Sequence, residues 1–427
     1  LEEYKYLWEA DLIKVEEFRD RELKNLLLES LNHSKWYRSI KEEKGITDDM
    51  IHQQPIQVLK KMPILSKNDR KEKTLLLENT SRITKAIGYT SGTSGSPTMN
   101  LLDKESIEKS FALWKRFHWS LGIKPNDKHI RFSGRILINP KKNKPPFWIY
   151  NRPENQLLMS TYHLTEINMD SYISKIKKFK PVYIDGYPSA IYILAQHINK
   201  KNIEFDHNLK GISVTAETLY EHQRTEIEKA FNCNVFNQYA SSEGSPFITE
   251  CKMGNLHINI DSGIFEILDE NNNEAEPGTI GRLVVTSFRN LKTPLIRYDI
   301  KDSVLKGKNS VKCKCGCQMP IVDQIIGRED DILWTEEKGY VGRMDTAYKG
   351  LQGISRGQIL QESPNSLVVN IEVDESFKQT TIEEFTNNLK DRLGSNIEIC
   401  INIVDEIPLG PNGKFIAVKR NFEMENG

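Results

Sequence analysis

The chain has 427 residues, too many for one compact core, and its 59 Lys+Arg balance its 59 Asp+Glu, so the basic excess of a nucleic-acid binder is absent. Hydrophobic residues at 38% and charged residues at 28% fit a folded, soluble protein and exclude a disordered one. No apolar run reaches the length of a bilayer crossing, and the opening LEEYKYLWEADLIKVEEFRDREL does not resemble a signal peptide, so no membrane partner and a cytoplasmic location are expected.

Residues 1–31 set Leu7, Leu12, Val15, Leu23, Leu27, Leu28 and Leu31 at helical spacing, which predicts an amphipathic helical arm. AIGY (86–89) is a strand-like approach to the Gly/Ser-rich segment YTSGTSGSPT (89–98). Lys141, Lys142 and Lys144 read as a solvated loop. PVYIDGYP (181–188) is a short β-branched and aromatic strand, followed by a helical run through Ile191, Leu194 and Ile198. GISVT (211–215) is a strand, Leu219–Phe231 a helix and NVFNQY (234–239) a third strand, so the middle of the chain predicts βαβ units and a largely parallel sheet. DENNNEAEPGTIG (269–281) is rich in turn formers and leads into the strand GRLVVTSF (281–288). SLVVNIEV (366–373), a helix over Thr381–Arg392 and IEICINIV (397–404) form a separate small unit, with a domain boundary near Gly327–Asp331.

Thr90, Ser91, Gly92, Thr93, Ser94 and Gly95 interleave hydroxyls with glycines. Glycine permits positive φ and close approach of the backbone, so successive N–H groups can cradle an anion while the hydroxyls add donors. This suits a β,γ-phosphate. It is not the GxxxxGK[ST] pattern, because no Lys lies inside it, and a flexible linker is the competing reading.

Six segments follow in order: TSGTSGSPT (90–98), VTAETL (214–219), NQYASSE (237–243), TPLIRYDIKD (293–302), IGREDD (326–331) and IPLGPNGKF (407–415). Together they resemble the landmarks of the adenylate-forming superfamily, and within it the phenylacetate–CoA ligase family, in the branch linked to capsular-polysaccharide biosynthesis. The resemblance runs over nearly the whole chain from about Leu23. It implies an α/β protein: a large N-terminal adenylation domain over 1–327 with mixed, largely parallel sheets and helices, and a small mobile C-terminal lid over 328–427.

The activity implied is ATP-dependent activation of a carboxylic acid to an acyl-adenylate, with release of pyrophosphate and transfer to CoA. Transfer to a carrier-protein thiol or to an amine is the alternative. By resemblance Thr90–Gly95 hold phosphate, and Ser96 stands where the family often has Lys. Ala216 and Glu217 line the base, Tyr239 stacks on adenine, Ser242 touches a phosphate, and Glu243 holds Mg2+. Asp302 binds the ribose hydroxyls, Arg328 contacts the nucleotide, Asp330 is the hinge and Lys414 stabilises the adenylation transition state. The chemistry agrees: negative charge gathers on phosphate oxygens, and a lysine, backbone donors and a cation offset it. Taken singly, Asp302 and Arg328 could be a surface pair and Lys414 an ordinary lysine after the Asn412–Gly413 turn.

Cys313, Cys315 and Cys317 fall within five residues, and clustered thiols in a reducing compartment suggest a metal before disulfides. Cys313-Lys-Cys315-Gly resembles a CxCG element of the same branch. With Cys251 and His257 it gives a tetrahedral set for structural Zn2+, and Cys317 competes for the fourth place. Three ordinary reduced cysteines are the bland alternative. Cys233 and Cys400 lie in apolar runs and read as core residues, and His163, His197 and His207 show no partner spacing. Phe132, Phe147, Trp148 and Tyr187, the last within DGYPSA (185–190), are candidate walls for the acid, with an aryl acid as the default. A non-catalytic nucleotide-binding scaffold would be expected to lack Glu243 or Lys414, and both are present. Oligomeric state has no signature.

Overall fold

The computed structural model describes residues 1–427 except 90–97, 140, 217, 218, 220, 242, 270, 308–312, 328–332, 342, 343, 349, 374, 408–417 and 423–427. The N-terminal arm is two helices, α1 (Glu2–Glu9) and α2 (Leu12–His33). Asp11 breaks it: its extended backbone and a carboxylate accepting from Lys14 N at 3.0 Å make it an N-cap. Leu7, Trp8, Val15, Leu23, Leu27 and Leu31 are buried, in one core with Ile258, Leu283 and Tyr298 of the same chain. The arm therefore completes its own large unit.

Five short helices follow, α3 (Lys35–Glu43), α4 (Asp48–Gln53), α5 (Pro55–Lys61), α6 (Lys67–Glu72) and α7 (Thr74–Leu77). Ser34, Thr47 and Ser66 cap three of them, and Pro55 opens α5 where no N–H is needed. An antiparallel pair, β1 (Ala86–Tyr89) and β2 (Met99–Leu102), comes next, followed by α8 (Lys104–Ser120), capped by Asp103.

The large sheet contains β3 (His129–Ser133), β4 (Trp148–Asn151), β5 (Gln156–Ser160), β6 (Tyr183–Gly186), β7 (Gly211–Thr215), β8 (Val235–Tyr239), β9 (Ile248–Glu250), β10 (Leu256–Ile258), β11 (Gly263–Leu268), β12 (Ile280–Ser287), β13 (Tyr298–Lys306) and β14 (Ile321–Gly327). Its order is β11-β12-β13-β14-β10-β9-β8-β7-β6-β3-β5-β4. The pairs β3–β5, β3–β6, β6–β7 and β7–β8 are parallel, as the middle of the chain predicts. The remaining seven pairs, from β8 to β11 and at the β4 edge, are antiparallel. Helices α9 (Met169–Phe179), α10 (Pro188–Lys200) and α11 (Glu221–Phe231) bury Ile130, Phe132, Ile184, Ile212 and Val214 on one face of the parallel half. Gly186 lies where β6 meets β3, and a Cβ there would stand 2.4 Å from the Phe132 carbonyl oxygen.

The other face packs against α8 and the residues just after it, through Phe117, Leu121, Tyr183 and Phe236. Tyr183 bonds His118 Nε2 at 3.0 Å and also engages Ser213, and burial pushes the His118 imidazole down to about 3. Arg116 on the same helix forms a fully buried ion pair with Asp261.

The C-terminal unit has its own core and a four-stranded sheet, β19-β18-β17-β20. It contains β15 (Leu333–Thr335), β16 (Gly339–Val341), β17 (Ile354–Ser363), β18 (Ser366–Val373), α12 (Thr380–Leu393), β19 (Glu398–Ile403) and β20 (Val418–Arg420). Alternation places Leu367, Val369 and Ile371 inward with Phe385, Leu389 and Leu393 of α12. One expectation fails here. Cys400 is exposed, because β19 is an edge strand and the side chain falls on its outward phase, whereas half-buried Cys233 packs against the core and burial pushes its thiol up to about 12.

Candidate active site and metal centre

The parallel strands β6, β7 and β8 end on one edge of the sheet, the edge where open α/β folds bind ligands. Tyr187, Ala216 and Tyr239 stand at or just beyond those ends. Ala216 has φ +70°, a left-handed conformation that costs a residue with a Cβ about 1–2 kcal/mol. Such strain persists where the surroundings require it, and it turns the chain sharply at the site edge.

Asp302 reaches this edge through an irregularity in β13. Arg282 pairs with Ser303 and Val284 with Asp299, so Leu283 alone faces Ile300, Lys301 and Asp302. Lys301 adopts φ +67°, and the bulge re-aims Asp302. Tyr239 Oη donates to Asp302 Oδ2 at 2.8 Å. Four residues beyond Tyr239, buried Glu243 accepts from Tyr298 Oη at 3.0 Å. Two segments, 239–243 and 298–302, thus exchange a tyrosine and a carboxylate each, in opposite order.

The β1–β2 pair, with Tyr89 opposite Met99, flanks the Gly/Ser segment. Thr293 Oγ1 accepts from Leu101 N at 3.2 Å and donates to Leu101 O at 3.1 Å. Arg70, fully buried, donates to Met99 O at 3.2 Å and Asn100 Oδ1 at 2.5 Å. Thr293 and Arg70 are thereby both tied to the strand that leaves the segment. Thr90, Ser91, Gly92, Thr93, Ser94, Gly95, Glu217, Ser242, Arg328, Asp330 and Lys414 lie outside the described residues.

Three of the candidate acid walls, Phe132, Phe147 and Trp148, gather around the Tyr172 ring, and Tyr187 packs against the same core. Phe132 is fully buried and stacked near Tyr172, fully buried Phe147 stacks on His163, and half-buried Trp148 lies on edge strand β4. Tyr187 stands beside Gly134, where a Cβ would meet its hydroxyl at 2.9 Å. His163 bonds Ser160 at 2.7 Å, His197 meets Asp170 at 3.1 Å and His207 meets Asp206 at 3.5 Å, partners that sequence spacing did not reveal.

A second cluster forms behind the edge. The β9–β10 hairpin presents Cys251 and His257, and the segment before β14 presents Cys313 and Cys315. Their ligand atoms all lie within 4.8 Å of one another. Cys251 Sγ is 3.6 Å from Cys313 Sγ, and Cys315 Sγ is 3.4 Å from His257 Nε2. A tetrahedral zinc with ordinary bond lengths requires edges of about 3.8 and about 3.5 Å, so the donor set fits that ion. His257 Nδ1 meets the Met319 carbonyl at 3.0 Å, which places the proton on Nδ1 and leaves Nε2 as the donor. Asn255 Nδ2 donates to Cys313 Sγ at 3.1 Å. Burial works against the Cys313 thiolate, yet hydrogen bonds from the Cys315 backbone and Asn255 hold its pKa below the usual thiol range. Gly316, at φ +95°, closes the turn with its N–H on Cys313 O at 3.2 Å. Cys317 stands outside this quartet, buried, with its thiol pushed up to about 12. The Trp8 ring packs edge-on against His257 at 5.5 Å.

Sequence reasoning quoted Tyr298 within a motif without giving it a role, and it missed Arg70, one cation in the charged run SKNDRKEK.

Protein CapK from Staphylococcus aureus is 32% identical over 420 residues, covering 97% of this chain and 90% of that protein. The chain belongs to the CapK family. The CapK C-terminal domain model matches residues 333–421, the unit built around β17–β18 and α12. Among solved structures, 2-hydroxyisobutyryl-CoA ligase in complex with 2-HIB-AMP and CoA, in the thioesterification state, superposes with a TM-score of 0.64 at 18% identity, over 97% of this chain and 92% of that one. The same ligase in the postadenylation state with 2-HIB-AMP gives 0.60 at 17% identity, over 94% and 89%. This CapK-family chain therefore has the fold of an adenylate-forming CoA ligase, with a C-terminal domain. No helix among the described residues is long and apolar enough to cross a membrane.

Proposed function

We propose that this chain activates a carboxylic acid with ATP, forming an acyl-adenylate and pyrophosphate, and passes the acyl group to CoA. The observation that carries the reading is the reciprocal pairing of Tyr239 with Asp302 and of Tyr298 with Glu243 at the carboxyl edge of the sheet. Two carboxylates from distant motifs are held there by tyrosines. Asp302 can accept two hydrogen bonds from a ribose diol. Glu243 offers the hard oxygen that Mg2+ takes, and that cation would supply charge neutralisation at the phosphates. No hydrogen bond engages the second Glu243 oxygen among the described residues, which fits such a ligand.

In this reading Thr90–Gly95 and Ser242 hold phosphates, Ala216 and Glu217 border the base under the Tyr239 ring, and Arg328 contacts the nucleotide. Lys414 comes from a C-terminal lid, 328–427, that hinges at Asp330 on a large domain, 1–327. A carboxylate oxygen attacks the α-phosphorus, and pyrophosphate leaves as Lys414 offsets its charge. The acceptor thiol then attacks the acyl carbon and expels AMP. An aryl acid, as for a phenylacetate–CoA ligase, or a small acyl acid is the substrate class, within capsular-polysaccharide synthesis. The adenylate and CoA bound by the structural neighbour support this order of steps. The Cys251–His257–Cys313–Cys315 quartet holds structural zinc, since four protein ligands leave no open position for catalysis.

ATP–pyrophosphate exchange with a panel of aryl and short acyl acids, in wild type and Lys414→Ala, tests the reading. Exchange with some acid, lost in the variant, supports it, and CoA-dependent AMP release then separates CoA from a carrier thiol or an amine. Absence of exchange together with absence of ATP binding would sink it.

A further inference from the structure

Glu243 is 6% exposed, and a buried carboxylate needs fixed hydrogen bonds and a compensating charge. Tyr298 supplies the first. Its ring is fully buried, and its hydroxyl donates to Glu243 Oε1 at 3.0 Å. Arg70 supplies the second. Its guanidinium is fully buried and forms no ion pair within 4.0 Å among the described residues. Burial works against its charge, and Glu243 is the one carboxylate among the groups that favour it. Arg70 Nη1 donates to Thr74 Oγ1 at 3.0 Å and its Nη2 to Met99 O and Asn100 Oδ1, while Nε has no partner among the described residues. One cation therefore bears on Glu243 and on the strand leaving the Gly/Ser segment.

We propose that Tyr298 and Arg70 are positioning residues for Glu243. Tyr298 occupies one carboxylate oxygen and leaves the other for the divalent cation, while Arg70, itself bonded to β2, compensates the carboxylate's charge. This rests on the reading of Glu243 as the magnesium carboxylate. Hydrogen bonds to ligating carboxylates set their orientation, and losing one typically costs about 10–100-fold in metal affinity.

The test is calorimetric titration of ATP across a Mg2+ series, with thermal melting alongside, on wild type, Tyr298→Phe, Arg70→Lys, Arg70→Met and Glu243→Gln. Wild type binds ATP more tightly as Mg2+ rises. Tyr298→Phe shifts the Mg2+ midpoint upward about tenfold, with little change in ATP binding without Mg2+. Arg70→Met loses most of the Mg2+ response, as Glu243→Gln does, and Arg70→Lys recovers part of it. A folded Tyr298→Phe with a wild-type Mg2+ midpoint overturns the proposal, whatever happens to its melting temperature. Should Arg70→Met fail to fold, Tyr298→Phe and Arg70→Lys decide. If wild type binds ATP without any Mg2+ response, the magnesium role of Glu243 falls, and the proposal with it. That outcome appears in wild type and is distinct from a failure of the variants.

Discussion

Tyr239 and Asp302 are 63 positions apart in the chain, and the tyrosine hydroxyl donates to the carboxylate across 2.8 Å. The bond joins the end of a parallel strand to a bulge in an antiparallel one. Removing it takes away one contact that orients the carboxylate. Tyr239→Phe is expected to weaken ATP binding about tenfold, since a hydrogen bond to a charged group is worth about 1.5–3 kcal/mol. Asp302→Asn should weaken it further, because an amide leaves one acceptor oxygen where the proposed ribose-diol contact uses two. Calorimetric ATP titrations check both, and equal affinities in all three proteins would dissociate Asp302 from the nucleotide.

The cysteine quartet predicts one zinc per chain by elemental analysis of protein purified without added metal. Cys313→Ser should lose the metal, while Cys317→Ser should keep it. If free zinc exceeds the dissociation constant a thousandfold, metal binding contributes about 4 kcal/mol of apparent stability. Chelation should therefore lower the melting temperature. It should also change the fluorescence of Trp8, which packs on His257.

His118 gives a pH prediction. Its folded pKa is depressed to about 3 by burial, below the ordinary value of 6.5. Below pH 6.5 the unfolded chain binds a proton that the folded chain refuses. This contribution is therefore full above pH 6.5 and is lost as pH falls toward 3, at about 1.4 kcal/mol per pH unit. Urea unfolding at pH 7.5 and 5.0 should show a loss of about 2 kcal/mol from this group. His118→Gln, which still offers Tyr183 a partner, should flatten that part of the profile.

Ala216 is held at φ +70°. Ala216→Gly removes about 1–2 kcal/mol of strain and adds about 0.5–1 kcal/mol of backbone entropy cost, so stability should change little. Ala216→Val should destabilise by more than about 1 kcal/mol, because a β-branched side chain suits this conformation least. Denaturant midpoints separate the two, and a neutral valine would show that the turn relaxes.

Much of the fold is legible in local pattern. SLVVNIEV (366–373) predicts β18 residue for residue, and the helix expected over Thr381–Arg392 is α12, Thr380–Leu393. These elements announce themselves because one face is apolar and the period is regular. Strands β9 and β10, three residues each, carry no period to read, yet they bear or border Cys251 and His257. Cys400 misleads for a related reason: an apolar run on an edge strand exposes one phase, and only strand order reveals which strand is the edge. Asp11 divides the N-terminal arm into two helices, a break that the helical spacing of leucines on either side did not reveal.

The sequence by itself determined the order of the six motifs, the residue types a phosphate, a ribose and a zinc ion require, and the alternation that builds the small C-terminal unit. These are local properties of composition and period. Tertiary structure alone decided that Tyr298 donates to Glu243, that the Lys301 bulge carries Asp302 to Tyr239, that Arg70 is buried against β2, and that Cys317 stays outside the quartet of Cys251, His257, Cys313 and Cys315. Tyr298 and Asp302 depend on the register of β13, where a shift of one residue would send them to the opposite face, while Arg70 on α6 and Cys317 before β14 are placed by packing between segments far apart in the chain.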